Sequence, residues 1–379
     1  MRTSFPKTPA GKAAPKLAAL FAGLALALAI APRTQAAEAP RLAVAAESRD
    51  LIWNAVAVGD DGGVYVAGPR WTGSRGSALA RLDAQRRPQP FPDAAWNAWR
   101  PGQDARTAFV NINAIHRDGE GGLWVVDTGA PDFGGTPLPG GAKLVRIDLA
   151  SGKVQRVYPF GPEALGAHSY VDDVRFHGRH AYLTDAGQPG LIVLDLDSGR
   201  ARRVLDGSRY TTARAGRPIV VEGETVLAPD GKPLAVNADP LEVSPDGRWF
   251  YFAPLNGPMW RIATRWLDDA GVDAKTLAGH VEPWFDLPPV GGTVMDRDGT
   301  LYFTVLADSS LRRRLPDGRV ETVIRDPRLH WVDAPYIDGT GTLWLPVPQM
   351  DRVALFHGGQ SRTAWPVQLF TLPLHGGRP

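Results

Sequence analysis

The chain has 379 residues, 44% hydrophobic and 22% charged, with 42 basic against 40 acidic side chains and no cysteine. That balance describes a folded globular chain, not a disordered or collagen-like one. The missing thiols exclude disulfides, thiolate metal sites, iron–sulfur clusters and cysteine nucleophiles.

At the N-terminus, Arg2, Lys7, Lys12 and Lys16 precede an apolar run at residues 17–30, and small residues follow at Thr34, Ala36 and Ala37. Positive region, short apolar core and small residues are the order of a secretory signal. The run is 14 residues, short of the roughly 18–20 that span a bilayer. Cleavage after Ala36 is therefore expected. It leaves residues 37–379 as a single domain, periplasmic or secreted and free of the membrane. Residues 1–36 carry five basic and no acidic side chains, so the remainder holds 37 against 40, a net charge of −3. A mildly acidic chain has no electrostatic footprint for nucleic acid.

Beyond that leader, one pattern recurs six times: a Gly-containing turn followed by alternating apolar residues around an aromatic. The copies are GDDGGVYV (59–66), RDGEGGLWV (117–125), FHGRHAYL (176–183), SPDGRWFYF (244–252), DRDGTLYF (296–303) and DGTGTLWL (338–345). Their aromatics, Tyr65, Trp124, Tyr182, Tyr251, Tyr302 and Trp344, are 59, 58, 69, 51 and 42 residues apart. Each turn with its flanks reads as a β-hairpin. A second hairpin-like element follows each copy, at 78–85, 143–158, 191–205, 259–267, 310–324 and 352–367. Four strands per repeat and six repeats predict an all-β fold, a six-bladed β-propeller with four-stranded antiparallel blades around a central channel. The long third spacing predicts an extra hairpin within 209–238, and residues 273–278 lack helix breakers. Residues 41–46 are placed beside 367–372 to close the ring. A closed ring needs no partner, so a monomer is expected.

The first strand of each blade lines the channel. Counting back from the six aromatics places Asn54, Asn113, Asp173, Asp239, Gly291 and Asp333 near its mouth, with Asp172 beside Asp173 on the other face of its strand. Carboxylates crowded in a narrow channel require a bound cation, raised pKa values or a cationic ligand. An all-oxygen set favours a hard ion such as Ca²⁺, with Asn113, Asp239 and Asp333 as its ligands. The alternative is structural: Asp and Asn at strand starts accept backbone hydrogen bonds. No nucleophile elbow, zincin helix, phosphate loop or dinucleotide fingerprint is present. The histidines, His330 among them, read as isolated surface residues. Trp53, Trp71, Trp96, Trp99 and Trp331 sit near loops or strand starts, where they serve either packing or an aromatic rim around a planar ligand.

The segments GPRW (68–71), PFPDAAWNAW (90–99), FVNINAI (109–115), LWVVDTGAP (123–131), KLVRIDL (143–149), DDVRFHGRHAYLTDAG (172–187), SPDGRWFYFAPLNG (244–257) and HWVDAP (330–335) follow one another in order. In this the chain resembles the yellow/major royal jelly family, from about residue 51 to residue 356. The resemblance implies a secreted six-bladed propeller with a small-molecule site in its channel. It also implies ligands such as aromatic amines, and a dopachrome-tautomerase type of isomerisation. Asp173, Asp239 and Asp333 match acidic positions of the family and are assigned as its acid and base groups, with Asn54, Asn113, Asp172 and Trp331 as ligand-binding residues. Asp172 stands where relatives commonly carry Asn, and Gly291-Gly292 where they tend to carry Asp-Gly. Two other readings stay open. One is a Ca²⁺-dependent lactonase like gluconolactonase, against which Asn54 counts because a Glu is wanted there. The other is a non-catalytic interaction scaffold.

Overall fold

The computed structural model describes residues 41–374, and the expected leader at 1–36 lies outside them. The described residues form six four-stranded antiparallel sheets. Blade 1 contains Ala55–Val58, Val64–Ala67, Leu79–Leu82 and Pro88–Pro90; blade 2 contains Ile112–Arg117, Gly122–Asp127, Lys143–Asp148 and Lys153–Pro159. Blade 3 runs Val171–His177, His180–Asp185, Gly190–Asp195 and Ala201–Val204, and blade 4 runs Ala238–Val243, Trp249–Pro254, Met259–Ala263 and Glu282–Phe285. Blade 5 holds Val290–Met295, Leu301–Val305, Ser310–Arg314 and Val320–Arg325. Blade 6 joins the two ends of the chain: Tyr336–Ile337, Thr342–Val347 and Val367–Pro373 are completed by Ala43–Ser48. The last two pair antiparallel from Ala43↔Thr371 to Ser48↔Val367, the ring closure expected from the sequence.

The repeated aromatic has one physical job. Each is the residue that packs its blade against the next. Tyr65 joins blades 1 and 2, Trp124 blades 2 and 3, and Tyr182 blades 3 and 4. Tyr251, Tyr302 and Trp344 continue the series around to blade 1. A ring of this size buries roughly 150–250 Å², worth a few kcal/mol per interface at about 25 cal/mol per Å². The hydrophobic core is thus six inter-blade layers, which leaves the axis free for polar groups.

Two stretches differ from the strands expected of them. Residues 352–367 begin with short 3-10 helices, Met350–Arg352 and Ala354–His357, and become a strand only at Val367. Gly358 and Gly359, both at positive φ, interrupt any alternation before it. In blade 4 the strand stops at Ala263 and the helix Thr264–Asp268 follows; a second helix, Ala274–Gly279, is capped by the Asp273 carboxylate, which accepts from the Lys275 and Thr276 N–H groups at 3.0 Å. Between blades 3 and 4 stands the extra hairpin, Val220–Val221 with Glu224–Thr225.

Candidate functional site

The first strands of blades 1 to 5 pack successively against one another around the axis. In blades 2 to 5 their pairing with the second strand breaks register between Ile112 and Ala114, Val171 and Val174, Ala238 and Leu241, and Val290 and Thr293. Asn113, Asp172, Asp173, Asp239 and Gly291 sit inside those bulges. A bulge leaves residues out of the ladder and re-aims their side chains, which is how polar groups on a strand turn toward the axis.

The result is a small cavity of about 60 Å³ at the channel mouth. Its polar lining is Asn113, Tyr170, Asp172, Asp239 and Asp333, and its walls include Trp71, Phe133, Trp331, Met350 and Phe356. Five of the seven residues assigned to a site from the sequence therefore meet: Asn113, Asp172, Asp239, Trp331 and Asp333. Two do not. Asn54 precedes a strand without a bulge and turns sideways, donating from Nδ2 to the Asn113 carbonyl at 2.8 Å, while its buried Oδ1 has no protein partner. Asp173, on the other side of its strand from Asp172, is held by Arg175 Nη1 at 2.7 Å and accepts from the Val174 N–H. Arg175 also forks onto Glu242 at 3.1 Å, and Thr293 Oγ1 donates to Glu242 at 2.9 Å. This belt across blades 3, 4 and 5 lies toward the opposite mouth. There a wide bowl of about 940 Å³ opens among the hairpin turns, with His116, Arg175, Phe176 and Glu242 in its lining. The bowl is larger, but several carboxylates in its lining are paired with arginines, Glu242 with Arg175, Asp60 with Arg117 and Asp118 with Arg146.

Burial sets the electrostatics. It pushes the Asp333 carboxyl from its ordinary 3.8 up to about 8, with Asp173 adding to the rise and the Ala334 N–H, 2.9 Å from Oδ1, opposing it. Asp239 is raised well above its ordinary value by burial, then by Asp333 and Asp173. Asp172 is raised by burial, then by Asp239, Asp173 and Asp333. Asp239 and Asp333 keep some exposed surface, but they line a cavity of about 60 Å³, a space too small to solvate a charge as bulk solvent does. Burial thus favours the protonated form of all three acids, and a positive group in the cavity would favour the ionised form.

A relay of hydrogen bonds fixes the cavity's polar wall. Trp71 Nε1–H donates to the Tyr170 hydroxyl at 2.8 Å, and that hydroxyl donates to Asn113 Oδ1 at 3.0 Å. Asn113 Nδ2 then donates to Asp172 Oδ1 at 2.7 Å. Tyr170 itself is anchored by Asp185, which accepts its N–H at 2.8 Å and is paired with Arg203 at 2.8 Å. The same device recurs one blade earlier: Asp127 accepts the Val110 and Asn111 N–H groups and is paired with the fully buried Lys143 at 2.7 Å.

Gly291 has a reason visible only in three dimensions. A Cβ there would stand 2.0 Å from the Val332 carbonyl oxygen, and one at Gly292 2.6 Å from the Ala334 nitrogen. The backbone of 332–334 fills the space a fifth side chain would take, and its flanks carry positive φ at Trp331 (52°) and Ala334 (22°).

The set expected to bind Ca²⁺, Asn113, Asp239 and Asp333, faces one cavity but does not form a cage. Asn113 Oδ1 already accepts from Tyr170, and among the described residues no three acidic or histidine side chains gather as metal donors. Calcium needs six to eight oxygens at about 2.3–2.6 Å, so these residues do not fit it.

Tyr170, Phe133, Met350 and Phe356 escaped the sequence reading. Tyr170 precedes Asp172 by two residues and so carried a positional signal; the others sit on a loop or in short 3-10 helices, outside the repeat. Trp53 and Trp99 are buried in packing, and Trp96 packs at a tilt against Phe109. His330, expected at the surface, is 3% exposed and lies between Asp351 and Glu222.

No curated protein sequence matches this chain. Among solved structures, virginiamycin B lyase from Staphylococcus aureus superposes with a TM-score of 0.51 at 12% identity, covering 89% of this chain and 100% of that one. A luciferin-regenerating enzyme superposes with a TM-score of 0.52 at 10% identity, covering 88% and 95%. At such identities the likeness is one of fold. The family model described as major royal jelly protein matches residues 112–358, a span that contains all four bulged first strands and all five of the cavity residues Asn113, Asp172, Asp239, Trp331 and Asp333. This chain belongs to the major royal jelly protein family.

Proposed function

We propose that this propeller binds a small ligand with a cationic or aromatic group in the channel cavity. The observation that carries the reading is the convergence of Asp172, Asp239 and Asp333, from three blades, on one enclosed space walled by Trp71, Phe133, Trp331 and Phe356. An ammonium group entering there would draw the acids into their ionised form and rest against aromatic faces. Tyramine, which carries both features, is the probe. Calorimetry in two buffers of different ionisation enthalpy should register binding with proton release, and Asp239→Asn should weaken it at least tenfold. Binding without proton release and indifferent to Asp239→Asn would overturn the reading.

Proton-transfer isomerisation of the dopachrome type is the second reading. It is favoured by Asp333, which titrates near 8 and so can both hold and return a proton near neutral pH. Its test is the rate of dopachrome loss with the parent chain against Asp333→Asn. The leader-like N-terminus adds export to the proposal, and N-terminal sequencing of the purified mature protein tests it.

A further inference from the structure

The insertion between blades 3 and 4 belongs to no blade, yet it covers the cavity. Leu234 and Val236 line the cavity directly, and Ile219, Val221 and Val226 pack with them against Tyr170, Leu306, Trp331 and Met350. The two feet of the insertion are tied to rigid strands. Asn256 accepts the Arg214 N–H and donates to the Arg214 and Arg217 carbonyls, while Asn237 accepts from Ala213 and donates to Ala186 and Gly187. Between the feet the picture changes. The backbone hydrogen bonds of residues 219–234 stay inside the segment, as in Val226 N–H to Ile219, Leu234 N–H to Val226 and the pair Val220↔Thr225. Only side chains hold this piece to the ring.

Its polar attachment is Glu222. This residue occupies the tip of the two-residue turn with Gly223, at φ 50° and 85°, a turn that ordinarily takes Asn or Gly at the first position. A glutamate in left-handed conformation is unfavourable on its own. Here its carboxylate reaches His330 Nδ1 at 3.2 Å and Arg352 Nη2 at 3.3 Å, while Asp351 holds the other face of His330 at 2.8 Å. His330 precedes the cavity wall residue Trp331, and Arg352 lies two residues after Met350, another wall. The Glu222 side chain is 57% exposed, so the attachment is weak.

We propose that residues 219–234 are a lid that lifts from the channel mouth, with Glu222 as its latch on His330 and Arg352. The inference rests on the reading of the cavity as a ligand site: a space of about 60 Å³ is far smaller than the roughly 300–1,000 Å³ of ordinary ligand pockets, so a ligand enters only if a wall moves. A segment with clamped ends and no backbone bonds to the body is the part able to open alone.

The chain has no cysteine, which makes a thiol probe clean. Ala186→Cys places one thiol on the cavity wall, where Ala186 is 4% exposed. Labelling by a methanethiosulfonate reagent should be slow in that single variant. It should accelerate, by up to about fivefold, when Glu222→Gln or Arg352→Gln is added, the change expected from losing one partly exposed ion pair. Labelling at the rate of a surface thiol in the single variant overturns the lid, because the mouth is then already open. Slow labelling unmoved by either latch variant overturns the latch. Hydrogen exchange on the unsubstituted chain decides the matter if a variant misfolds: amides of 219–234 exchanging together ahead of the blades support the lid, and exchange in step with the blades overturns it. Neither readout uses a ligand, so failure of tyramine to bind would sink the functional reading while leaving the lid standing.

Discussion

Replacing Asp333 by Asn removes an ionisable group while keeping its shape and its contact with the Ala334 N–H. An acid whose folded pKa lies above its unfolded one binds its proton more tightly when folded. Its contribution to stability is full below the unfolded value of 3.8 and is lost as pH rises toward about 8. At 1.36 kcal/mol per pH unit, the parent chain forfeits up to about 4 kcal/mol between pH 4 and pH 7 through this group. Asp172 and Asp239 share the cavity, so the protons leave the three acids as a set and part of that loss shifts to them. Urea unfolding at pH 4, 5.5, 7 and 8.5 reads the effect. Asp333→Asn should match the parent at pH 4 and exceed it by about 2–4 kcal/mol at pH 7, with a flatter profile between. A variant no more stable than the parent at pH 7, with the same slope, would mean that Asp333 is ionised and solvated in the free protein, and the argument from burial fails.

Lys143→Met strands the Asp127 carboxylate in a fully buried position and should cost about 3–5 kcal/mol in chemical unfolding; a loss under 1 kcal/mol would contradict it. Gly291→Asp, the residue that the family resemblance suggests there, places a Cβ against the Val332 carbonyl and should destabilise by about 2–4 kcal/mol, lowering the melting temperature; an unchanged melt would show that the 332–334 backbone yields freely. Millimolar Ca²⁺ against chelator should leave the melting curve in place, since a cation saturating a site at 100 times its dissociation constant adds about 2.7 kcal/mol, and a clear shift would restore the cation reading.

The propeller was legible in the chain because its cause is local and repeated. Six turns, each followed by alternation around Tyr65, Trp124, Tyr182, Tyr251, Tyr302 or Trp344, specify hairpins, and the same aromatic closes each inter-blade layer. Counting from those aromatics also located Asn113, Asp239 and Asp333, because position along an inner strand fixes depth in the channel. What counting misses is direction. Bulges at 112–114, 171–174 and 238–241 break the period of two, so Asp172 faces the cavity and Asp173 lies against Arg175, and no single-strand pattern announces that exchange. The unbulged start of blade 1 turned Asn54 away for the same reason.

Composition, the repeat and the spacing of its aromatics thus determine fold, blade number and the ring of polar positions, since each follows from short-range periodicity and apolar burial. Only the tertiary structure decides which acids share a cavity, how far burial raises them, that the 332–334 backbone replaces a fifth side chain beside Gly291, and that an insertion without a blade covers the mouth. Those are properties of distance between segments far apart in the chain, and desolvation and packing act on that distance alone.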